Sequence, residues 1–324
     1  MITREILLRL NAMGDILLTV PCLRELEKSG IETHLVINRR WHELARFLPA
    51  RVHFFDHPTD LLRLALTLNR LDAGALHDLQ GKLATIALKL MVRTPKQTCY
   101  QKRSLSEQLQ VLRGNFPLRF ADQRPVWQKY AETCGRNIEK PDPTIVLTPD
   151  FIERSKIDLA GLNLAPHGFF ALHADASHPG KVLPESLLRQ ICRQSPLPIA
   201  LIGTGKMPIN GLAGLTDLRN AISLEQLAGL LYWSAGVISS DSGPMHLARA
   251  VDAKVAGIFL QTSPVLGFSP VPGPKVLVIS KDLDCKPCSL HGQRAVCPLQ
   301  HFACRDLEPE STTAAIFNFF GKQP

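Results

Sequence analysis

The chain has 324 residues, more than a single hydrophobic core usually carries, so two domains are expected. Lys and Arg number 37 against 29 Asp and Glu, a net charge of +8 that suits an anionic partner such as a nucleotide, a nucleic acid or an acidic membrane surface. Aromatic residues make up only 6%, too few for the stacking platforms of single-stranded nucleic-acid binders, and no apolar run approaches the ~18 residues of a membrane span. Arg4, Glu5, Arg9 and Asp15 interrupt the first apolar positions, unlike a signal peptide, so a cytoplasmic protein with no nucleic-acid partner is expected.

The apolar run Glu5 to Leu10 reads as a strand, Asn11 to Asp15 as a turn, and Ile16 to Lys28 as a helix with Pro21 as an early break. Strands follow at Thr33 to Asn38, Val52 to Phe55 and Ala75 to Asp78. Helices are expected over Trp41 to Leu48, Thr59 to Leu71, Lys82 to Met91 and Val126 to Gly135. Strands alternating with helices imply parallel βαβ units. Lys140 to Pro149 holds three prolines and reads as the passage between halves, giving domains 1–150 and 151–324. The pattern then restarts. Strands are expected at Gly168 to His173, Pro198 to Ile202, Gly236 to Ser239, Lys254 to Phe259 and Lys275 to Ile279. Helices lie between them at Pro184 to Gln194, Leu224 to Trp233 and Met245 to Ala250. Two such α/β halves would present their strand-end loops to a shared cleft, where ligands bind in sheets of this kind.

Six segments carry residue types suited to chemistry. In Val237 to Ala250 (VISSDSGPMHLARA) a strand runs through a polar turn into a helix. Ser240, Asp241 or Ser242 can supply an N-cap oxygen, and Pro244 stands where its missing N–H costs least. A free helix start with its positive dipole end is an anion site, and a plain capped helix fits the same letters. A carboxylate repels phosphate, so Asp241 is expected to meet a sugar hydroxyl or the backbone. In Asn11-Ala-Met13-Gly14-Asp15, Gly14 allows close backbone approach. Asp15 reads either as a helix-start carboxylate favoured by the dipole or as a general base. The loop from His173 to Glu185 brings Ser177 and Lys181 just before a helix, where a lysine neutralises a phosphate or stays a solvated charge. Gly203-Thr-Gly205-Lys206 is a glycine turn but no Walker A loop, because Met207 stands where Ser or Thr is needed. Asp78-Leu-Gln80-Gly81 and Phe259-Leu-Gln261-Thr262 close two further strands, and Thr262 can reach a phosphate.

Half of the eight cysteines, Cys285, Cys288, Cys297 and Cys304, fall within twenty residues. A structural zinc site, a set of reduced thiols and disulfides all fit this spacing, the last disfavoured in a reducing compartment. Cys22, Cys99, Cys134 and Cys192 are scattered and read as small core residues.

Together the segments ILLRLNAMGDILLTVPCLREL, DLQGKLATIAL, KVLPESL, SSDSGPMHLARA, GIFLQTSP and CKPC with its two later cysteines and DLEPE resemble glycosyltransferase family 9, the ADP-heptose:lipopolysaccharide heptosyltransferases. They run almost the whole chain in the family's order. The resemblance implies a GT-B fold of two Rossmann-like domains, with inverting, metal-independent transfer of heptose from ADP-heptose to an inner-core sugar of lipopolysaccharide. It implies a peripheral position on the cytoplasmic face of the inner membrane, no cofactor, and a C-terminal helix that packs back on the N-terminal domain. Asp15 matches the family's general base and Lys181 the lysine facing the donor diphosphate. Asp241 matches the residue that holds heptose hydroxyls. Ser242, Gly243, Pro244, Met245 and His246 match the helix start beneath the diphosphate, with Ser177 and Thr262 on the donor side. Asn11, Met13, Gly14, Gln80 and Gly81 face the acceptor. The chain departs from the family at Leu183, where many members carry Trp, at Leu260-Gln261, where Gly-Pro is common, and at Lys82 to Thr85. A module of the same fold that binds ADP or an ADP-sugar without catalysis is the alternative reading.

Overall fold

The computed structural model describes residues 3–101, 107, 109–110, 120–205, 212 and 214–321. The chain divides into a first unit, Met1–Lys102 with Val126–Leu147, and a second, Arg103–Pro125 with Thr148–Pro324. Lys206 and Met207 of the glycine turn lie outside the described residues. No helix among the described residues is long and apolar enough to cross a membrane.

The first unit is built on five parallel strands, β1 (Arg4–Leu8), β2 (Glu32–Asn38), β3 (Arg51–Phe55), β4 (Ala75–Asp78) and β5 (Lys96–Cys99), in the order β3-β2-β1-β4-β5. Strand β1 reads as an almost unbroken apolar run because it is buried on both faces. Ile6, Leu8, Val36 and Leu76 pack against Leu64 and Leu68 of the helix Leu61–Asn69 and Leu88 of Leu83–Met91. The single helix expected over Ile16 to Lys28 is two, α1 (Met13–Leu17) and α2 (Val20–Lys28). The break falls at Thr19, whose hydroxyl donates back to Ile16 O at 2.6 Å, with Pro21 in the first turn of α2. Trp41 to Leu48 is a shorter helix than expected, His42–Ala45, entered through a 3₁₀ turn at Arg39–Trp41.

The second unit repeats the plan with six parallel strands, β6 (Phe170–His173), β7 (Ile199–Leu201), β8 (Leu215–Asp217), β9 (Gly236–Ser240), β10 (Val255–Phe259) and β11 (Val276–Ser280), ordered β11-β10-β9-β6-β7-β8. A helix not expected from the sequence, Pro149–Gly161, opens it, with Thr148 Oγ1 accepting from Phe151 N at 3.2 Å. Leu187, Leu188 and Ile191 of Glu185–Gln194 cover β6 and β7. The C-terminal helix Pro309–Phe320 contributes to this core. Ile316 is fully buried there, and the Phe320 ring stacks on Phe170 with centroids 5.1 Å apart. Gly236 admits that ring, since a Cβ there would come within 2.6 Å of Phe320 Cδ1. Phe120 packs with Leu266, Phe268 and Leu290, so it too belongs to the second unit although it precedes residue 150. Two Rossmann-like sheets, one per unit, are the components of the GT-B architecture.

In both sheets the chain leaves the first strand to one side and later returns to its other side, so the strand order reverses between β1 and β4 and between β6 and β9. Loops at the carboxyl ends of strands flanking such a reversal form the usual ligand crevice. Those loops are NAMGD and DLQG in the first unit, and HADASHPGK and SDSGPMH in the second.

Candidate functional site

In the first unit, β1 and β4 pair with Leu8 opposite Asp78, which sets the two loops side by side. Asp78 Oδ1 accepts from the backbone N–H groups of Gln80 and Gly81 at 2.9 and 2.8 Å. This closes an Asx turn, with Gly81 at φ +56°. The turn aims the Gln80 side chain at the other loop, where its Oε1 accepts from Leu10 N at 2.8 Å and Asn11 N at 3.1 Å. Gln80 is buried. Its carbonyl oxygen is committed to the backbone that leads into Asp15. Asn11 Oδ1 accepts from Trp41 Nε1 at 3.4 Å, and Met13 is buried.

Asp15 stands in the first turn of α1 and accepts from Ala12 N at 3.2 Å. Its Oδ2 also forms an ion pair with Arg9, a residue that does not stand out when the chain is read alone. Arg9 in turn donates to Leu79 O at 2.8 Å and lies over the Tyr130 ring at 5.5 Å. The guanidinium orients the carboxylate. Asp15 keeps 19% of its side chain exposed.

In the second unit, β6 and β9 pair with His173 opposite Ser239. His173 Nδ1 lies 2.9 Å from Ser242 Oγ and 3.2 Å from Ser240 Oγ, and Ser240 Oγ donates to Asp175 O at 2.7 Å. Burial pushes the His173 imidazole down to about 4, so it is neutral near pH 7 and works as a hydrogen-bonding strut. The strut has a consequence for the helix Gly243–Ala250. Ser242 occupies its N-cap position, yet no side chain caps the helix, because the hydroxyl faces His173 instead. The expectation that Ser240, Asp241 or Ser242 caps it is thereby corrected. An uncapped start offers backbone N–H groups and the dipole to an anion. Met245 is fully buried against Gly257 and His246 is also buried, so Met245 brings only its backbone N–H to that start, and Pro244 brings none.

Lys181 closes the 3₁₀ turn Pro179–Lys181, and its Nζ lies 2.9 Å from Asp241 Oδ2. Thr262 Oγ1 donates to the same oxygen at 2.7 Å. Thr262 is 1% exposed, and its hydroxyl proton is engaged by Asp241. Ser177 is exposed on the same loop. Behind it, Asp175 faces Arg219 at 3.6 Å, and Gly205 leaves room that a side chain would take from the Asp175 carboxylate. The second unit thus joins an ammonium, a carboxylate and an open helix start at one strand-order reversal, an arrangement able to hold a phosphorylated sugar.

The four clustered cysteines line one small cavity with Lys286 and His301. All eight cysteines are free thiols. Among the described residues no group of three or more His, Cys, Asp or Glu is arranged to hold a metal ion. Burial drives Cys288 up to about 11 and raises Cys304 as well. The amine of Lys286, pushed down to about 8 by burial, donates to Phe259 O at 2.7 Å and Ser280 Oγ at 2.8 Å. Cys22 and Cys134 are buried as expected, but Cys99 is exposed at the end of β5, 3.9 Å from Asp78 Oδ2.

Residues 61–297 match the family model of glycosyltransferase family 9 (heptosyltransferase). Lipooligosaccharide heptosyltransferase 2 of Campylobacter jejuni is 33% identical over 95 residues, a stretch that spans 29% of this chain and 28% of that protein. Among solved structures, E. coli ADP-heptose lps heptosyltransferase II superposes with a TM-score of 0.73 at 14% identity, covering 98% of both chains. E. coli heptosyltransferase WaaC with ADP superposes with a TM-score of 0.64 at 20% identity, covering 86% of this chain and 93% of that one.

Proposed function

This chain belongs to glycosyltransferase family 9, the heptosyltransferases, and from that premise we propose that it transfers heptose from ADP-heptose to an inner-core sugar of lipopolysaccharide, with inversion at the anomeric carbon. The observation that carries the reading is the Lys181–Asp241 pair beside the uncapped helix start at Gly243. Breaking the bond between the sugar and the diphosphate leaves growing negative charge on ADP. Lys181 and the N–H groups of Gly243 and Met245 meet that charge as preorganised donors, each such contact contributing about 2.7–4 kcal/mol to the barrier. Asp241, already held by Thr262 Oγ1 on one oxygen, accepts from heptose hydroxyls with the other. Ser177 and His246 complete the donor side.

Asp15 takes the proton of the acceptor hydroxyl as that oxygen attacks the anomeric carbon, a contribution of about 10²–10⁴ in rate. Arg9 holds the carboxylate and Gln80 holds its loop. Asn11, Met13, Gly14 and Gly81 border the acceptor. Because Lys181 and the helix start serve the diphosphate, the reading needs no divalent cation there. The acceptor is anchored in a membrane, and the net charge of +8 suits work at the anionic surface of the cytoplasmic leaflet.

Product analysis tests this. Incubation with ADP-heptose and a panel of truncated core acceptors should yield ADP and an acceptor heavier by one heptose, with inverted anomeric configuration. No product with any acceptor, or hydrolysis of ADP-heptose alone, would overturn it.

A further inference from the structure

Gln261 follows β10 by two residues, and it is 1% exposed. A buried amide has to find partners for its oxygen and its N–H₂. Gln261 finds them on one residue: Nε2 donates to Arg294 O at 3.0 Å, and Oε1 accepts from Arg294 N at 3.2 Å. Its own backbone N–H donates to Gly180 O at 3.1 Å, and Gly180 N donates to Gly292 O at 2.9 Å. Three segments that are far apart in the chain, 180–181, 261–262 and 292–294, are thereby laced together.

The lacing is tight. A Cβ on Gly180 would collide with Gln261 Oε1 and come within 2.7 Å of Gly292 O. Gly292 sits at φ +74°, and a Cβ there would come within 2.7 Å of Lys181 Cγ, so the stem of the lysine lies across that glycine. The Lys181 ammonium ends on Asp241 Oδ2, which the neighbour of Gln261, Thr262, also grips. Further along, Arg294 Nε donates to Cys288 O at 3.0 Å and Lys286 Nζ to Phe259 O at 2.7 Å, which joins the cysteine-bearing segment to the same frame.

We propose that Gln261 is a positioning residue of the donor site: its amide pins the cysteine-bearing segment, at Gly292–Arg294, beneath the turn of Lys181 and so sets where that ammonium stands. The proposal rests on the assignment of Lys181 to the donor diphosphate. Loosening the frame lets the turn move and weakens the hold on the phosphates, while the acceptor side is untouched.

The test compares the full-length protein with Gln261→Met, which has similar volume and no hydrogen bonds, by amide hydrogen exchange and ADP calorimetry. We expect exchange at Gly180 and Arg294 to quicken about tenfold and the Kd for ADP to rise about tenfold, with the KM of the acceptor unchanged. A merely structural role would lower Tm without that separation of donor from acceptor. Unchanged exchange at Gly180 together with unchanged ADP affinity would overturn the proposal. Should the Met variant not fold, Gln261→Glu serves in its place, since it keeps the oxygen for Arg294 N–H but loses the donor to Arg294 O. If the wild-type protein does not bind ADP, the donor-site assignment fails, and exchange at Gly180 alone decides whether Gln261 positions the turn.

Discussion

Replacing Asp241 with Asn removes one negative charge from the donor site with almost no change of shape. In the free protein Asp241 is 6% exposed and pairs with Lys181 Nζ at 2.9 Å. Breaking a fully buried pair from one side costs about 3–5 kcal/mol. Here Lys181 keeps 16% of its side chain exposed and the Asn carbonyl still accepts from it, so we expect a loss of about 2 kcal/mol of stability. ADP reverses the sign. A carboxylate about 6 Å from a phosphate charge opposes it by roughly 3 kcal/mol at an effective dielectric of about 20, and Lys181 between them screens around half of that. Asp241→Asn should therefore bind ADP about tenfold more tightly and show a larger rise in Tm on adding ADP than the wild type. Transfer should fall at least about tenfold, because the sugar hydroxyls lose a charged acceptor worth about 1.5–3 kcal/mol. Calorimetry with ADP and initial rates with ADP-heptose read the two effects separately. Unchanged or weaker ADP affinity would refute the placement of the diphosphate beside this pair.

Other expectations follow from the same contacts. Gln80→Ala leaves the backbone N–H groups of Leu10 and Asn11 without their acceptor, at about 1–3 kcal/mol. Tm should drop and transfer should fall with it, while ADP affinity stays constant. His173 stands at about 4 in the fold against 6.5 in the unfolded chain, so the unfolded state binds more protons between those values. Its stabilising contribution, about 3 kcal/mol, is complete above pH 6.5 and is lost as pH falls towards 4. Denaturant titrations of wild type and His173→Asn across that window should show a steeper slope in the former, since His34 and His53, also lowered by burial, remain in both. Exhaustive chelation should leave the transfer rate unchanged, since no step assigned above uses a divalent cation, and a rate restored by added magnesium would contradict the role given to Lys181.

Much of this was legible in the chain itself, for identifiable reasons. Parallel strands buried on both faces read as apolar runs, and β1, β4, β9 and β10 stand within two residues of where those runs lie. Strands β5 (KQTC) and β8 (LTD) did not, because they are polar or very short and owe their existence to ladder pairing with β4 and β7. The helix Pro149–Gly161 hid behind a proline-rich stretch, although Thr148 followed by Pro149 is itself a helix-start signature. The site divides in the same way. Asp15, Lys181 and Asp241 stand out as charges in strand-end loops. Arg9 does not, since a lone arginine reads as a solvated charge, and Gln80 stands out as an acceptor contact without its hold on the neighbouring loop being visible. What gives them roles is the pairing of β1 with β4, which brings residues about seventy positions apart into hydrogen-bond reach. Thr262 and Ser242 show the converse: hydroxyls that look available to a ligand are taken by Asp241 and His173.

The central claim is a division of labour, with the leaving group held by the second unit and the acceptor proton taken by Asp15. It meets its most direct test in Asp15→Asn, measured for donor affinity and for turnover on one preparation. We expect the Kd for ADP-heptose to equal that of the wild type and kcat to fall by about 10²–10⁴. Wild-type turnover in this variant, or a donor affinity that collapses along with turnover, would contradict it.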